Sequence, residues 1–146
     1  MNNNASKLFE WRELRKNLET HFSEGNLQTI ITWWQSFKFR ANGFDYDNIK
    51  TWPNVWELIQ DGYYTTSSIG LGCFYTITLA YPDKDIELWL IHDLLYSEIY
   101  LVCYIDGYIL NRLSGKLEKY EDVSQDINIL EKHKAEYIID ALKFKE

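Results

Sequence analysis

Apolar positions recur at helical spacing in the first part of the chain. Over residues 5–22, Leu14, Leu18 and Phe22 fall at four-residue steps behind Trp11, while Glu10, Arg12, Glu13 and Lys16 face away. This pattern predicts a helix. Ser23-Glu24-Gly25-Asn26 supplies a stop and a new cap. A second helix follows over residues 27–38, with Ile30, Ile31, Trp34 and Phe37 as its stripe, antiparallel to the first. Residues 40–50 have turn chemistry and no period, and read as a loop. Thr51-Trp52-Pro53 opens a short helix that Asp61-Gly62 closes. Residues 65–81 are ambiguous. Ile69, Cys73, Ile77 and Tyr81 recur every four residues, yet Gly70 and Gly72 each weaken a helix by about 1 kcal/mol. The run is too long for an ordinary strand, so a helix is predicted.

From Asp85 onward the period is two. Ile86, Leu88 and Leu90 alternate with Glu87, Trp89 and Ile91, and a second alternation runs from Glu98 to Ile105. Asp106-Gly107 is a strong hairpin signal, because both turn residues must take positive φ. A two-residue turn sets Ile105 opposite Tyr108, Tyr104 opposite Ile109 and Val102 opposite Asn111. One face then carries Glu98, Tyr100, Val102, Ile109 and Asn111. Residues 115–123 read as a polar connection with room for an edge strand. Residues 124–142 read as a closing helix capped by Ser124, with Ile127, Leu130, Lys134, Tyr137 and Ala141 along one side. The expected fold is α+β. N-terminal helices precede a central helix on an antiparallel meander of about three strands, and a C-terminal helix closes one domain over residues 1–146. Residues 1–4 are expected to be disordered.

Composition adds two constraints. The formal net charge is −7, with no basic patch to hold phosphates, which argues against nucleic acid as a partner. No apolar run approaches the ~20 residues of a membrane span, and residues 1–7 do not read as an export signal. Six Trp and eleven Tyr bring aromatics to 16%, more than a small interior needs. Such residues are favoured where chains bury surface against each other. Trp33, Trp52 and Trp56 are therefore candidates for an interface with another protein chain. The two cysteines, Cys73 and Cys103, lie in core-like segments and are expected as free thiols.

Candidate chemistry concentrates in residues 70–111. Gly70-Leu71-Gly72-Cys73 opens an apolar element, and Cys103-Tyr104-Ile105-Asp106-Gly107 forms the later hairpin. This arrangement is similar to the core of the transglutaminase-like cysteine enzymes. The resemblance implies a nucleophile that begins a helix packed on a small sheet, a base on one strand, and an Asp or Asn on the next. A helix N-terminus or a nearby imidazolium lowers a thiol's pKa, and the third residue orients the imidazole. On this resemblance Cys73 matches the nucleophile and Asn111 falls near the orienting residue. Glu98 stands where the resemblance wants histidine, and a carboxylate is a poor base for a thiol. His92 is the substitute base in that reading.

Other sites are weaker. Cys73, His92 and Cys103 lack the close-spaced ligand pairs of a zinc site, and His21 and His133 fall in predicted helices. Asp45 and Asp47 lack the closing Glu of a calcium loop. No metal or cofactor is expected. The segments TWPNVWELIQDGYY, IGLGCFYTITLA and DGYILN also resemble small proteins of large tailed bacteriophages. That resemblance implies a virion-associated or host-takeover protein, in the virion or the host cytoplasm, with virion components as partners. Two functions follow. The first is a non-catalytic structural or interaction protein that binds another protein through its aromatic surface. The second is a cysteine-dependent acyl-transfer enzyme, a peptidase or amidase, using Cys73, His92 and Asn111.

Overall fold

The computed structural model describes residues 3–18, 21–39, 45–61 and 63–142. Helices α1 (Asn3–Leu18) and α2 (Glu24–Gln35) come first, and Ser23 caps α2 by accepting from Asn26 N at 3.1 Å. Strand β1 (Lys38–Phe39), a 3-10 turn (Ile49–Thr51), helix α3 (Val55–Asp61) and strand β2 (Tyr63–Tyr64) follow, with β1 and β2 paired in parallel. Helix α4 (Thr66–Ala80) leads into strands β3 (Ile86–Asp93), β4 (Glu98–Ile105), β5 (Tyr108–Ile109) and β6 (Glu118–Lys119). One helical turn, α5 (Tyr120–Val123), then a 3-10 turn (Ser124–Asp126), leads to strand β7 (Ile127–Lys134) and helix α6 (Ala135–Leu142). The main sheet is antiparallel in the order β6-β5-β4-β3-β7. The α+β class holds, with five strands in place of about three.

Helix α4 is the centre of the molecule. Leu71, Cys73, Phe74, Tyr75 and Ile77 are all fully buried, because α1, α2 and α3 cover one side and β3 and β4 the other. Each such aliphatic or aromatic side chain contributes roughly 1.5–3 kcal/mol on burial. A helix apolar all round is a core helix, which is why its stripe was hard to read. One polar residue fastens the layers. Thr76 Oγ1 accepts the indole N–H of Trp11 at 2.9 Å and that of Trp34 at 2.9 Å, and donates to Gly72 O at 2.9 Å. Both indole donors are thereby satisfied inside the core.

The sheet has two faces. Ile86, Leu88, Leu90, Leu101, Cys103 and Ile105 join the core around α4. Trp89, Ile91, Tyr100, Val102 and Ile109 form a second cluster on the opposite face with Val123 and Ile127. At the edge of that cluster Asp93 is fully buried. It accepts from Tyr100 Oη at 2.6 Å, from Arg112 Nε at 3.2 Å and from the backbone N–H of Leu95 at 3.1 Å.

Two boundaries differ from expectation. Residues 127–134 form a strand, not the start of the closing helix, because β3 needs a partner on its second edge. A register shift opposite Leu90 and Ile91 breaks the period of two, and this left Ile127, Leu130 and Lys134 at misleading helical spacing. At the N-terminus, Asn3 and Asn4 lie in α1; residues 1–2 of the segment expected to be disordered are outside the described residues.

Candidate functional site

The resemblance places reactive chemistry at the start of a helix, and α4 starts at Thr66, seven residues before Cys73. Its first turn reads Thr65-Thr66-Ser67-Ser68, capped by Thr65, whose hydroxyl accepts from Ser68 N at 3.1 Å. This end of the helix meets the outer edge of β4. The Leu101 N–H donates to Ser67 Oγ at 3.0 Å, and Tyr46 Oη lies 2.9 Å from the same hydroxyl.

Asn111 completes the junction. The Asp106-Gly107 turn has positive φ at both residues, 53° and 85°, and sets Ile105 opposite Tyr108 and Tyr104 opposite Ile109 as expected. Leu110 N then donates to Cys103 O at 3.0 Å. Beyond that point the strand is replaced by a side chain. Asn111 Oδ1 accepts from Cys103 N at 2.8 Å, while Nδ2 donates to Leu101 O at 2.8 Å and Thr66 O at 3.0 Å. The amide thus imitates the peptide a longer β5 would have offered and ties α4 to β4. Asn111 serves the α4 side and does not share a face with Glu98, Tyr100 and Val102. The register stops before Val102 because the backbone leaves the ladder there.

Gly70 makes this approach possible. A Cβ on Gly70 would stand 2.7 Å from Leu101 O and 2.8 Å from Asn111 Nδ2. Gly72 does the same on the other side, where a Cβ would stand 2.5 Å from the Trp34 ring. The Gly70-Leu71-Gly72 motif is therefore a packing device, and it allows backbone to reach sheet and indole together.

Cys73 itself is fully buried in the middle of α4, and burial pushes its thiol well above the ordinary range. Cys103, across on β4, is equally buried, and its thiol is also raised, first by burial and then by the neighbouring Cys73. Both are free thiols. His92 lies between Ile99 on β4 and Asn128 on β7. Cys103 pairs with Leu88, four residues back along β3, a strand distance of about 13 Å. No hydrogen bond joins Cys73 to His92 among the described residues. Glu98 points to the face opposite α4, and the α4-side residue beside it is the aliphatic Ile99.

Of the three tryptophans expected at an interface, the structure buries Trp52. Its indole donates to Asp45 O at 2.8 Å. Trp56 packs edge-on against Trp11, and Trp33 packs between Trp34 and Phe37, both half-buried. Trp33 and Trp56 keep part of their surface exposed. The large apolar side chains left exposed are Phe9, Leu94, Leu95, Tyr96, Ile99, Leu130 and Tyr137.

An open cavity of about 730 Å³ is lined by Tyr46, Asp47, Lys50, Glu131, His133, Tyr137 and Asp140 among others. Tyr46 thus connects it to Ser67. Sequence reasoning missed Ser67, because a serine in a helix cap reads only as a cap. It missed His133 because residues 124–142 were read as one helix. Among the described residues no group of three His, Cys, Asp or Glu side chains could hold a metal ion, and no helix is long and apolar enough to cross a membrane.

The sequence matches no protein-family model and no curated protein. Solved structures do resemble it. Calcium-bound LapG of Legionella pneumophila is 16% identical, covers 93% of this chain and 78% of its own, and superposes with a TM-score of 0.79. A second LapG structure is 16% identical over 92% of this chain and 78% of its own, with a TM-score of 0.78. An EGTA-treated LapG is 15% identical over 90% and 74%, with a TM-score of 0.76. The chain therefore shares the fold of these LapG structures over nearly its whole length, not only over residues 70–111. This likeness, with Trp52 buried inside the domain, overturns the reading as a non-catalytic structural protein.

Proposed function

We propose that this chain is an acyl-transfer enzyme of the peptidase or amidase class, reacting through the Ser67 hydroxyl at the start of α4. The observation that carries the reading is the position of Ser67. On a transglutaminase-like scaffold the reacting group begins the helix that packs on the sheet, and here that place holds a hydroxyl bonded to Tyr46. Oγ attacks the carbonyl carbon of an amide or ester. Its proton passes to the Tyr46 oxygen while Tyr46 releases its own to water in the cavity it lines. The amine or alcohol leaves with a returned proton, and water hydrolyses the Ser67 ester. The Leu101 N–H, 3.0 Å from Oγ, holds the hydroxyl in place before attack.

A fluorophosphonate probe tests this directly by intact mass and peptide mapping. The expected adduct sits on Ser67, is absent from Ser67→Ala and is unchanged in Cys73→Ala. An adduct that survives Ser67→Ala, or no adduct in folded protein, overturns the reading.

A further inference from the structure

Strand β4 has an open stretch of outer edge beside Ser67. Leu101 and Cys103 turn their backbone groups away from β3. Leu101 N donates to Ser67 Oγ and Leu101 O accepts from Asn111 Nδ2, while Cys103 N donates to Asn111 Oδ1 and Cys103 O accepts from Leu110 N. Residues alternate along an antiparallel strand, so Ile99 turns its own N–H and C=O to the same side. Strand β5 pairs only with Tyr104 and Ile105, and among the described residues nothing bonds to these two groups of Ile99.

Natural proteins blunt such an edge with a charge, a proline or a bulge. Here it carries an isoleucine with 50% of its surface exposed, next to a turn whose Leu94, Leu95 and Tyr96 are exposed too. Open backbone groups specify their occupant: they pair with another main-chain N–H and C=O, in an extended conformation. The opening is short, because Ser67 and Asn111 already occupy the edge at Leu101. Two copies of this chain joined there would share too few bonds for a sheet-to-sheet dimer, whereas a bound segment needs only enough to fix its register. Strand residues two apart stand about 6.8 Å from each other, so the Ile99 groups lie that far from the Leu101 N–H that holds Ser67 Oγ. In an antiparallel strand one residue exchanges both bonds with Ile99, and the residue two before it reaches Leu101. The carbonyl delivered to Ser67 then belongs to one of the two residues preceding the paired one.

We propose that the outer edge of β4 at Ile99 binds an extended polypeptide segment by strand addition, with the paired residue on the leaving-group side of the bond that Ser67 attacks. The segment's role as substrate rests on the acyl-transfer reading; the strand pairing does not. The side chain of the paired residue falls on the same face as that of Ile99, where a β-branched apolar neighbour is favoured.

The experiment uses the full parent chain, with amide hydrogen exchange and chemical shifts as the readout. In the free protein the Ile99 amide is expected to exchange about tenfold or more faster than those of Leu101 and Cys103, which are bonded. The probe is acetyl-Thr-Ser-Val-Thr-amide, its valine intended for the position opposite Ile99. Titration is expected to slow Ile99 exchange and to shift its resonance saturably. Methylating the valine nitrogen removes the donor to Ile99 O and is expected to weaken binding about fivefold or more. Methylating the nitrogen of the last threonine, whose N–H points away from β4, is expected to leave binding unchanged. Ile99 protection equal to that of Leu101 in the free chain, no saturable shift at Ile99, or equal binding of the N-methylvaline peptide overturns the docking edge and leaves the Ser67 reading intact. Saturable docking at Ile99 with no fluorophosphonate adduct on Ser67 overturns the acyl-transfer reading, and the substrate role with it, and leaves the strand pairing.

Discussion

Gly72 lies directly against the Trp34 indole, so that a methyl group added to the glycine would stand 2.5 Å from the ring. The indole cannot easily retreat, because its N–H is bonded to Thr76, one helical turn along α4. Gly72→Ala gains about 1 kcal/mol in helix propensity, but overpacking a rigid neighbour costs typically 1–3 kcal/mol or more. The expected outcome is a net loss of about 1–2 kcal/mol in urea unfolding, with unchanged m-value. Equal or higher stability would show that the α2–α4 contact is looser than it stands here.

That contact also shows what the sequence could and could not reveal. The hairpin at Asp106-Gly107 was legible because its φ requirement is local, and its first two pairs follow from turn length alone. Helix α4 was legible by length, although Gly70 and Gly72 argued against it. Their reason for being glycine lies in Leu101, Asn111 and Trp34, distant in sequence. Strand β7 was illegible because its identity comes from the unpaired edge of β3 and its bulge hides the alternation. The surroundings of the candidate cysteine were illegible for a related reason. Cysteine attracts attention as a nucleophile wherever it stands, whereas its burial and its position along the helix are tertiary properties.

Replacing Asn111 with Asp tests the amide that stands in for a strand. A carboxylate could still accept from Cys103 N, but it would face the carbonyls of Leu101 and Thr66, to which the amide now donates. With the side chain almost wholly buried, the cost is expected at about 2–4 kcal/mol. Hydrogen exchange gives the sharper readout. Protection of the Leu101 and Cys103 amides should fall before that of β3 in the Asn111→Asp protein. Uniform loss across the sheet would mean that Asn111 supports the whole fold and not this junction.

The thiol of Cys73 should be inert while the protein is folded. Burial raises its pKa, so little thiolate exists near neutral pH, and α4 is covered on both sides. Iodoacetamide at pH 7.5 is expected to leave Cys73 unlabelled in native protein and to label both cysteines once denaturant unfolds it. Fast native labelling of Cys73 would return the cysteine reading to consideration against Ser67.

Acid stability should trace to Asp93. Burial alone would raise its carboxyl pKa, but the Tyr100 hydroxyl, the Arg112 guanidinium and the Tyr96 N–H together hold it below the ordinary value. A group whose folded pKa is depressed contributes stability that is fully present above its unfolded pKa, near 4, and is lost as pH falls through the folded value. Unfolding free energy of the parent chain should therefore decline as pH falls below about 4. Asp93→Asn removes the charge, leaves Arg112 with Glu118 as its remaining carboxylate among the described residues, and is expected to cost about 3 kcal/mol at neutral pH. Because the asparagine does not titrate, the gap between the two proteins should narrow as pH is lowered. A gap that stays constant from pH 7 to 3 would show that Asp93 acts through shape and neutral hydrogen bonds, not through its charge.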